Sequence, residues 1–181
     1  EVGTVTPKPQ KGNSKPRVFR LIEDDAIINR LGFNNKGSDT VKKNLSKIHN
    51  NFLRNKIIGI NIGKNKDTID SINDYLIGIE KLGALANYIT INISSPNTYG
   101  LRDLQLRGNI DKLIKKIVQK REKIEGLYKK PILIKISPDL NEDQLRDIAL
   151  ITLANNIEGL IITNTTTERP VNLLSKNKIN K

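Results

Sequence analysis

Apolar residues recur along this chain in two alternating rhythms. Positions spaced by three and four mark one face of a helix. They occur as Val41, Leu45, Ile48 and Phe52, then as Ile69, Ile72, Leu76, Ile79 and Leu82. They return as Ile110, Leu113, Ile114, Ile117 and Ile124, and finally as Leu145, Ile148, Ala149 and Leu153. Between these blocks lie short β-branched runs at residues 57–62, 88–94, 132–136 and 160–163. Ser38 or Asp39 is placed to cap the first helix and Asn141 the last. Residues 2–6 read as the end of a further strand, and residues 7–16, with Pro7, Pro9 and Pro16, as a loop. A short helical turn is expected around residues 24–29. Strands alternating with helices imply βα units on a parallel sheet. About five strands are present, where a closed (β/α)8 barrel needs eight and typically about 250 residues. The pattern therefore fits an open doubly wound sheet or part of a barrel.

Parallel strands covered on both faces are usually apolar throughout, and these are not. Side chains alternate along a strand, so Ile132, Ile134 and Ile136 share one face and Leu133 and Lys135 the other. Ile89, Ile91 and Ile93 likewise leave Thr90, Asn92 and Ser94 opposite them. Asn61 stands opposite Ile60 and Ile62, and Thr163 opposite Leu160 and Ile162. An ammonium inside an apolar strand is costly unless something pairs with it. Ligands of α/β sheets and barrels bind at the carboxyl ends of the strands. Lys135, Asn61, Asn92 and Thr163 are thus expected to converge on one planar, hydrogen-bonding ligand. The loops that follow, Ser94-Ser95-Pro96-Asn97-Thr98-Tyr99-Gly100 and Asn164-Thr165-Thr166-Thr167, bring hydroxyls and amides for a small polar substrate.

Composition narrows the chemistry. The 181 residues contain no Cys, Met or Trp, and 36% are hydrophobic, so the core rests on Ile, Leu and Val. Without Cys there is no thiolate nucleophile, disulfide or thiolate metal site. With His49 as the single histidine, there is neither a His-rich metal cluster nor a Ser-His-Asp triad; His49 is expected on the surface of its helix. No metal ligand set is expected. A net charge of +12 favours anionic partners, but aromatics make up only 4% and no nucleic-acid motif is present, so nucleic acid is not expected as a partner.

Six segments then carry a resemblance. They are Gly3-Thr4-Val5-Thr6-Pro7-Lys8-Pro9-Gln10, Asn29-Arg30-Leu31-Gly32-Phe33-Asn34-Asn35, Asn61-Ile62-Gly63-Lys64-Asn65-Lys66, Asn92-Ile93-Ser94-Ser95-Pro96-Asn97-Thr98, Lys135-Ile136-Ser137-Pro138-Asp139-Leu140 and Thr163-Asn164-Thr165-Thr166. In this order and spacing they resemble the signature segments of class 2, quinone-dependent dihydroorotate dehydrogenases. The resemblance implies a (β/α)8 TIM-barrel type fold with about five of its eight βα units present. It implies FMN as cofactor, oxidation of dihydroorotate to orotate in pyrimidine synthesis, and a membrane quinone as electron acceptor. Ser95 matches the family's catalytic base, where class 1 enzymes carry Cys. Thr4, Asn61, Asn92, Lys135 and Thr163 match flavin-binding positions. Asn29, Arg30, Leu31, Gly32, Phe33, Asn92, Asn97, Asn164 and Thr165 match the orotate pocket, and Arg20 matches an arginine lining the quinone tunnel.

The likeness runs from residue 1 to about residue 169, with residues 170–181 expected as a polar tail. By the same resemblance, an amino-terminal membrane-binding helical segment, the first barrel strand and the last two strands with their phosphate-binding loops are missing. Peripheral attachment to the inner (cytoplasmic) membrane depends on that segment, and a cytosolic location follows if it is truly absent. Two alternatives stay open: another FMN barrel dehydrogenase of class 1 type acting on a pyrimidine, and an inactive truncated remnant. Without the phosphate loops, the 181-residue chain alone is expected to hold FMN weakly or not at all. Flavin absorbance after desalting checks this; stoichiometric retained flavin contradicts it.

Overall fold

A computed structural model describes residues 1–49 and 56–175. Five parallel strands form one twisted sheet in the order β1 (Val2–Val5), β4 (Gly59–Ile62), β5 (Tyr88–Asn92), β6 (Ile132–Lys135) and β7 (Gly159–Ile161). Every pairing in it is parallel and runs between strands consecutive in this order. The crossover helices are α1 (Gly37–His49), α2 (Ser71–Leu82), α3 (Arg107–Lys123) and α4 (Glu142–Ala154). Among the described residues the sheet does not close, so the fold is the partial barrel arrangement expected from the sequence.

The isoleucines of the strands build the core. Ile60, Ile62, Ile89, Ile91, Ile132 and Ile134 are all fully buried, and against them pack Tyr75, Ile79 and Leu82 of α2 and Ile110, Leu113, Ile114 and Ile117 of α3. Burial of this kind contributes about 1.5–3 kcal/mol per large side chain. Asn141 caps α4 as expected: its side chain accepts from the Gln144 amide, and Gln144 reaches back to the Asn141 amide.

Several expectations are corrected. The segment expected as a helical turn around residues 24–29 is instead a β-hairpin. Here β2 (Val18–Leu21) pairs antiparallel with β3 (Ala26–Asn29) across a 3₁₀ turn, Ile22–Asp24. The hairpin lies outside the main sheet, so Val18, Ile22 and Ile27 remain exposed and their pattern carried no core signal. Ser38 does not cap α1. It sits inside a helix that begins at Gly37, and its hydroxyl donates to the Pro7 carbonyl. Ile69 is fully exposed, because α2 starts two residues later behind the Asp70 cap and buries Tyr75, Gly78, Ile79 and Leu82 instead. Ile48 of α1 and Leu145 and Leu153 of α4 are exposed, so these helices seat a narrower face than their spacing indicates. Phe52 lies outside the described residues, and so does the side chain of His49.

Helix α2 reaches β4 closely enough that a Cβ on Gly78 would stand 2.4 Å from Ile62 Cγ2. Gly78→Ala is therefore expected to destabilise the chain by about 1–3 kcal/mol through overpacking. Urea unfolding measures it, and an unchanged midpoint contradicts the close approach.

Candidate functional site

The carboxyl ends of the strands open on a cavity of about 380 Å³. Its walls are Gly3 and Thr4 of β1, Asn29 with Leu31, Gly32, Phe33 and Asn34 beyond β3, Asn92 and Lys135 of β5 and β6, and Ser95, Asn97 and Asn164 in the loops after β5 and β7. Five different asparagines and one ammonium thus face one space. Lys135 is half-buried, and its ammonium makes no hydrogen bond or ion pair among the described residues. A half-buried ammonium without a partner is a ready hydrogen-bond donor to an anionic or carbonyl oxygen.

A single run of hydrogen bonds fixes the inner face of the sheet. Asn164 Nδ2 donates to Ser94 Oγ (2.9 Å), and Ser94 Oγ donates to Asn92 Oδ1 (2.8 Å). Asn92 Nδ2 donates to Thr4 Oγ1 (2.8 Å), and Thr4 Oγ1 to Asn61 Oδ1 (2.7 Å). Asn61 Nδ2 then donates to Glu1 Oε1 (2.9 Å), and Thr90 Oγ1 gives Glu1 Oε2 a second bond of 2.6 Å. Every donation runs the same way because an ionised carboxylate only accepts. It turns the Asn61 amide nitrogen toward itself, which leaves Asn61 Oδ1 for the Thr4 hydroxyl. Thr4 Oγ1 is then left to accept from Asn92. Bonds aligned head to tail also polarise one another.

Helix α2 adds a second hold. The fully buried Tyr75 hydroxyl donates to the Asn92 carbonyl at 2.9 Å, and burial, with Asp74 nearby, keeps that phenol protonated far above its usual range. Gly3 has a positive φ of 127°, and a Cβ there would lie 2.4 Å from the Asn61 carbonyl oxygen. Only glycine lets β1 run this close to β4.

The loops above the cavity are tied to one another. Asp139 accepts from the Arg102 guanidinium (2.7 Å), from the Thr167 amide and hydroxyl (both 2.9 Å) and from the Thr166 hydroxyl. Burial raises the Asp139 pKa, but these donors outweigh it and hold the carboxyl well below the ordinary carboxylate range. Ser95 is buried, and its Oγ accepts from the Asn97 amide at 3.2 Å.

Most of the residues expected from the sequence meet here. Thr4, Asn92 and Lys135 line the cavity, and Asn61 stands directly behind Thr4. Asn29, Leu31, Gly32, Phe33, Asn97 and Asn164 line it together with Ser95. Four residues do not join them. Thr163 is exposed beyond the end of β7 at Ile161, and its hydroxyl donates to the Asn164 carbonyl. The strand stops before the alternation reaches Thr163. Arg30 turns outward, bonding the Pro16 carbonyl and stacking its guanidinium over Phe19. Thr165 lines a neighbouring groove with Ile28, Pro96 and Arg169. Arg20 lies on the hairpin beside Leu21, Ile22 and Ile27, outside this cavity. Sequence reasoning missed Gly3, Asn34, Glu1, Tyr75 and the Arg102–Asp139 pair. Thr90 does fall on the strand face that holds Asn61 and Asn92, whereas Glu1 precedes β1 and stands three residues from Thr4, where a period of two gives no such signal.

The family model described as dihydroorotate dehydrogenase matches residues 1–181. The chain belongs to that family. It is 50% identical over 171 residues to the dihydroorotate dehydrogenase (quinone) of Rhizobium rhizogenes, covering 93% of this chain and 46% of that one. It is 44% identical over 202 residues to the mitochondrial dihydroorotate dehydrogenase (quinone) of Lachancea kluyveri, covering 98% and 45%. A crystal structure of DHODH from Eimeria tenella in complex with ferulenol superposes with a TM-score of 0.91 at 43% identity, covering 98% of this chain and 53% of that one. The chain therefore spans about half the length of the curated relatives it matches.

The hydrogen bonds to Asp139 carry a pH dependence. Its folded pKa is depressed, so its contribution is fully present above the unfolded carboxylate value of 3.8 and is lost as pH falls through the lower folded one. The stability difference between the wild type and Asp139→Asn is expected to stay flat from about pH 5 to pH 8 and to shrink only below about pH 4. Urea unfolding across pH checks this, and a difference that fades near neutrality contradicts it.

Proposed function

We propose that the cavity holds the isoalloxazine ring of FMN with dihydroorotate against it, and that the complete protein oxidises dihydroorotate to orotate and passes the electrons to a quinone. The observation that carries this reading is the unpaired Lys135 ammonium opening on the same cavity as Ser95 and five asparagines. The quinone-dependent names of the relatives support the acceptor. When bound, the flavin supplies a hydride acceptor.

The chain's own residues take the remaining tasks. Asn92, through its second amide hydrogen, and Lys135 present a hydrogen-bond donor and a positive charge to the ring, with Thr4, held by Asn61, fixing the Asn92 amide. Positive charge there favours the more negative form of a flavin. Asn29, Asn97 and Asn164, with backbone from Leu31 to Phe33, offer donors and acceptors to the carboxylate and the imide of a pyrimidine. Ser95 takes the proton from the substrate carbon that faces it. To do so its hydroxyl proton passes on to a polar neighbour or water, and the Asn97 amide bond to Oγ stabilises the negative charge the oxygen carries before it takes the substrate proton. Thr163, exposed as it stands, reaches the flavin only if its segment moves inward. For the quinone we infer an approach along the β2–β3 hairpin, where Arg20 lies among Leu21, Ile22, Ala26 and Ile27. Among the described residues no helix is long and apolar enough to cross a membrane, so membrane contact in this reading is peripheral.

Equilibrium titration of the chain with FMN, read by flavin fluorescence, tests the central step. Weak but saturable quenching is expected, with Lys135→Ala weakening it about tenfold, the size of one charge-assisted hydrogen bond. Quenching that does not saturate, or that Lys135→Ala leaves unchanged, overturns the flavin assignment. Reduction by dihydroorotate of a quinone, against fumarate or a nicotinamide, separates this reading from a class 1 activity.

A further inference from the structure

The three loops that carry Ser95, Asn164 and the end of β6 meet on one guanidinium. Arg102 belongs to a 3₁₀ turn, Arg102–Gln105, whose neighbour Leu101 is fully buried and anchors it. Its Nε donates to the Ser94 carbonyl (3.1 Å) in the loop after β5. Its Nη1 donates to Asp139 (2.7 Å) in the loop after β6, and its Nη2 to the Thr165 carbonyl (3.3 Å) in the loop after β7. Gln105 of the same turn accepts from the Ser137 amide at 2.8 Å, a second link to the loop after β6. Asp139 extends the set by binding Thr166 and Thr167.

We infer that Arg102 and Asp139 form a clip that positions Ser95 and Asn164 over the cavity by locking the three loops to one planar fork, so that both act as positioning residues. The inference rests on the dehydrogenase reading only for what the loops do; the clip itself is a matter of loop order. Ser94 is the pivot. Its carbonyl is held by Arg102 and its hydroxyl lies between Asn92 and Asn164, so a shift of the Ser94 backbone moves Ser95 and Asn164 together. Surface ion pairs are individually weak. Here both partners are mostly buried, at 24% and 17% side-chain exposure, and Arg102 ends on three separate acceptors. A lysine ammonium lacks the rigid fork that spans three such points.

Hydrogen exchange on the full chain, with neither flavin nor substrate added, decides the question. The informative amides are those of Asn97, which bonds Ser95 Oγ on a residue that neither Arg102 nor Asp139 binds, and of Thr165, which bonds Asn164 Oδ1 although the carbonyl of the same residue accepts from Arg102. Arg102→Gln, Arg102→Lys and Asp139→Asn are each expected to speed their exchange at least about tenfold, with the amides of β5 and α2 unchanged, the mark of local opening. If only the Thr167 amide, which Asp139 binds directly, exchanges faster, the positioning role is overturned. Full protection in Arg102→Lys overturns the requirement for the fork. If one variant fails to fold, the other two carry the same readout.

A second arm adds FMN and orotate. The wild-type loops are expected to gain further protection, and Arg102→Gln to lose that gain at the same concentrations. A wild type that gains none refutes the substrate reading while the ligand-free exchange still decides the clip.

Discussion

The carboxylate of Glu1 sets the direction of the hydrogen bonds along the polar face of the sheet. It accepts from both Asn61 and Thr90, and because it has no proton to give, each group beyond it is left with one orientation. The order continues through Thr4, Asn92 and Ser94 to Asn164. A half-open sheet would otherwise expose several amides free to rotate. The aligned bonds turn them into a fixed arrangement of donors at the cavity floor, which is what a binding site for a planar heterocycle requires.

The apolar side of the same strands supplies rigidity. Ile60, Ile62, Ile89 and Ile91 are immobilised against α2 and α3, and each inward polar residue lies between two of them in sequence. Tyr75 links the two sides, since its ring is in the core and its hydroxyl holds the Asn92 backbone. The site is thus built on strands whose opposite face cannot shift without disturbing the core. The loops, which have no such backing, are held by Arg102 and Asp139 instead.

The parallel sheet and its helices were legible in the sequence because three-to-four and two-residue periods separate cleanly along this chain. Lys135 and Asn92 were legible for a related reason: several polar residues in the same register of neighbouring isoleucine runs point to one shared space, and both line the cavity. The β2–β3 hairpin was not, since it is a two-stranded unit outside the main sheet on which Leu21 and Ile28 are buried apart from the main core cluster while Val18 and Ile27 stay exposed. Thr163 was misplaced because alternation says nothing about where a strand stops. Arg102 and Asp139 lie 37 residues apart in loops, and no periodicity joins such pairs. Family signature segments supplied the pocket loops, Asn29 to Phe33, that the residue pattern alone leaves unassigned.

A double-mutant cycle of Thr4→Val and Ser94→Ala tests the account most directly, because both residues bond Asn92 from opposite sides. If the hydrogen-bonded run acts as one unit, urea unfolding gives a coupling of about 0.5–3 kcal/mol between the two substitutions. Losses that simply add, within about 0.5 kcal/mol, would mean that the bonds are independent neighbours and that the carboxylate of Glu1 does not order the face.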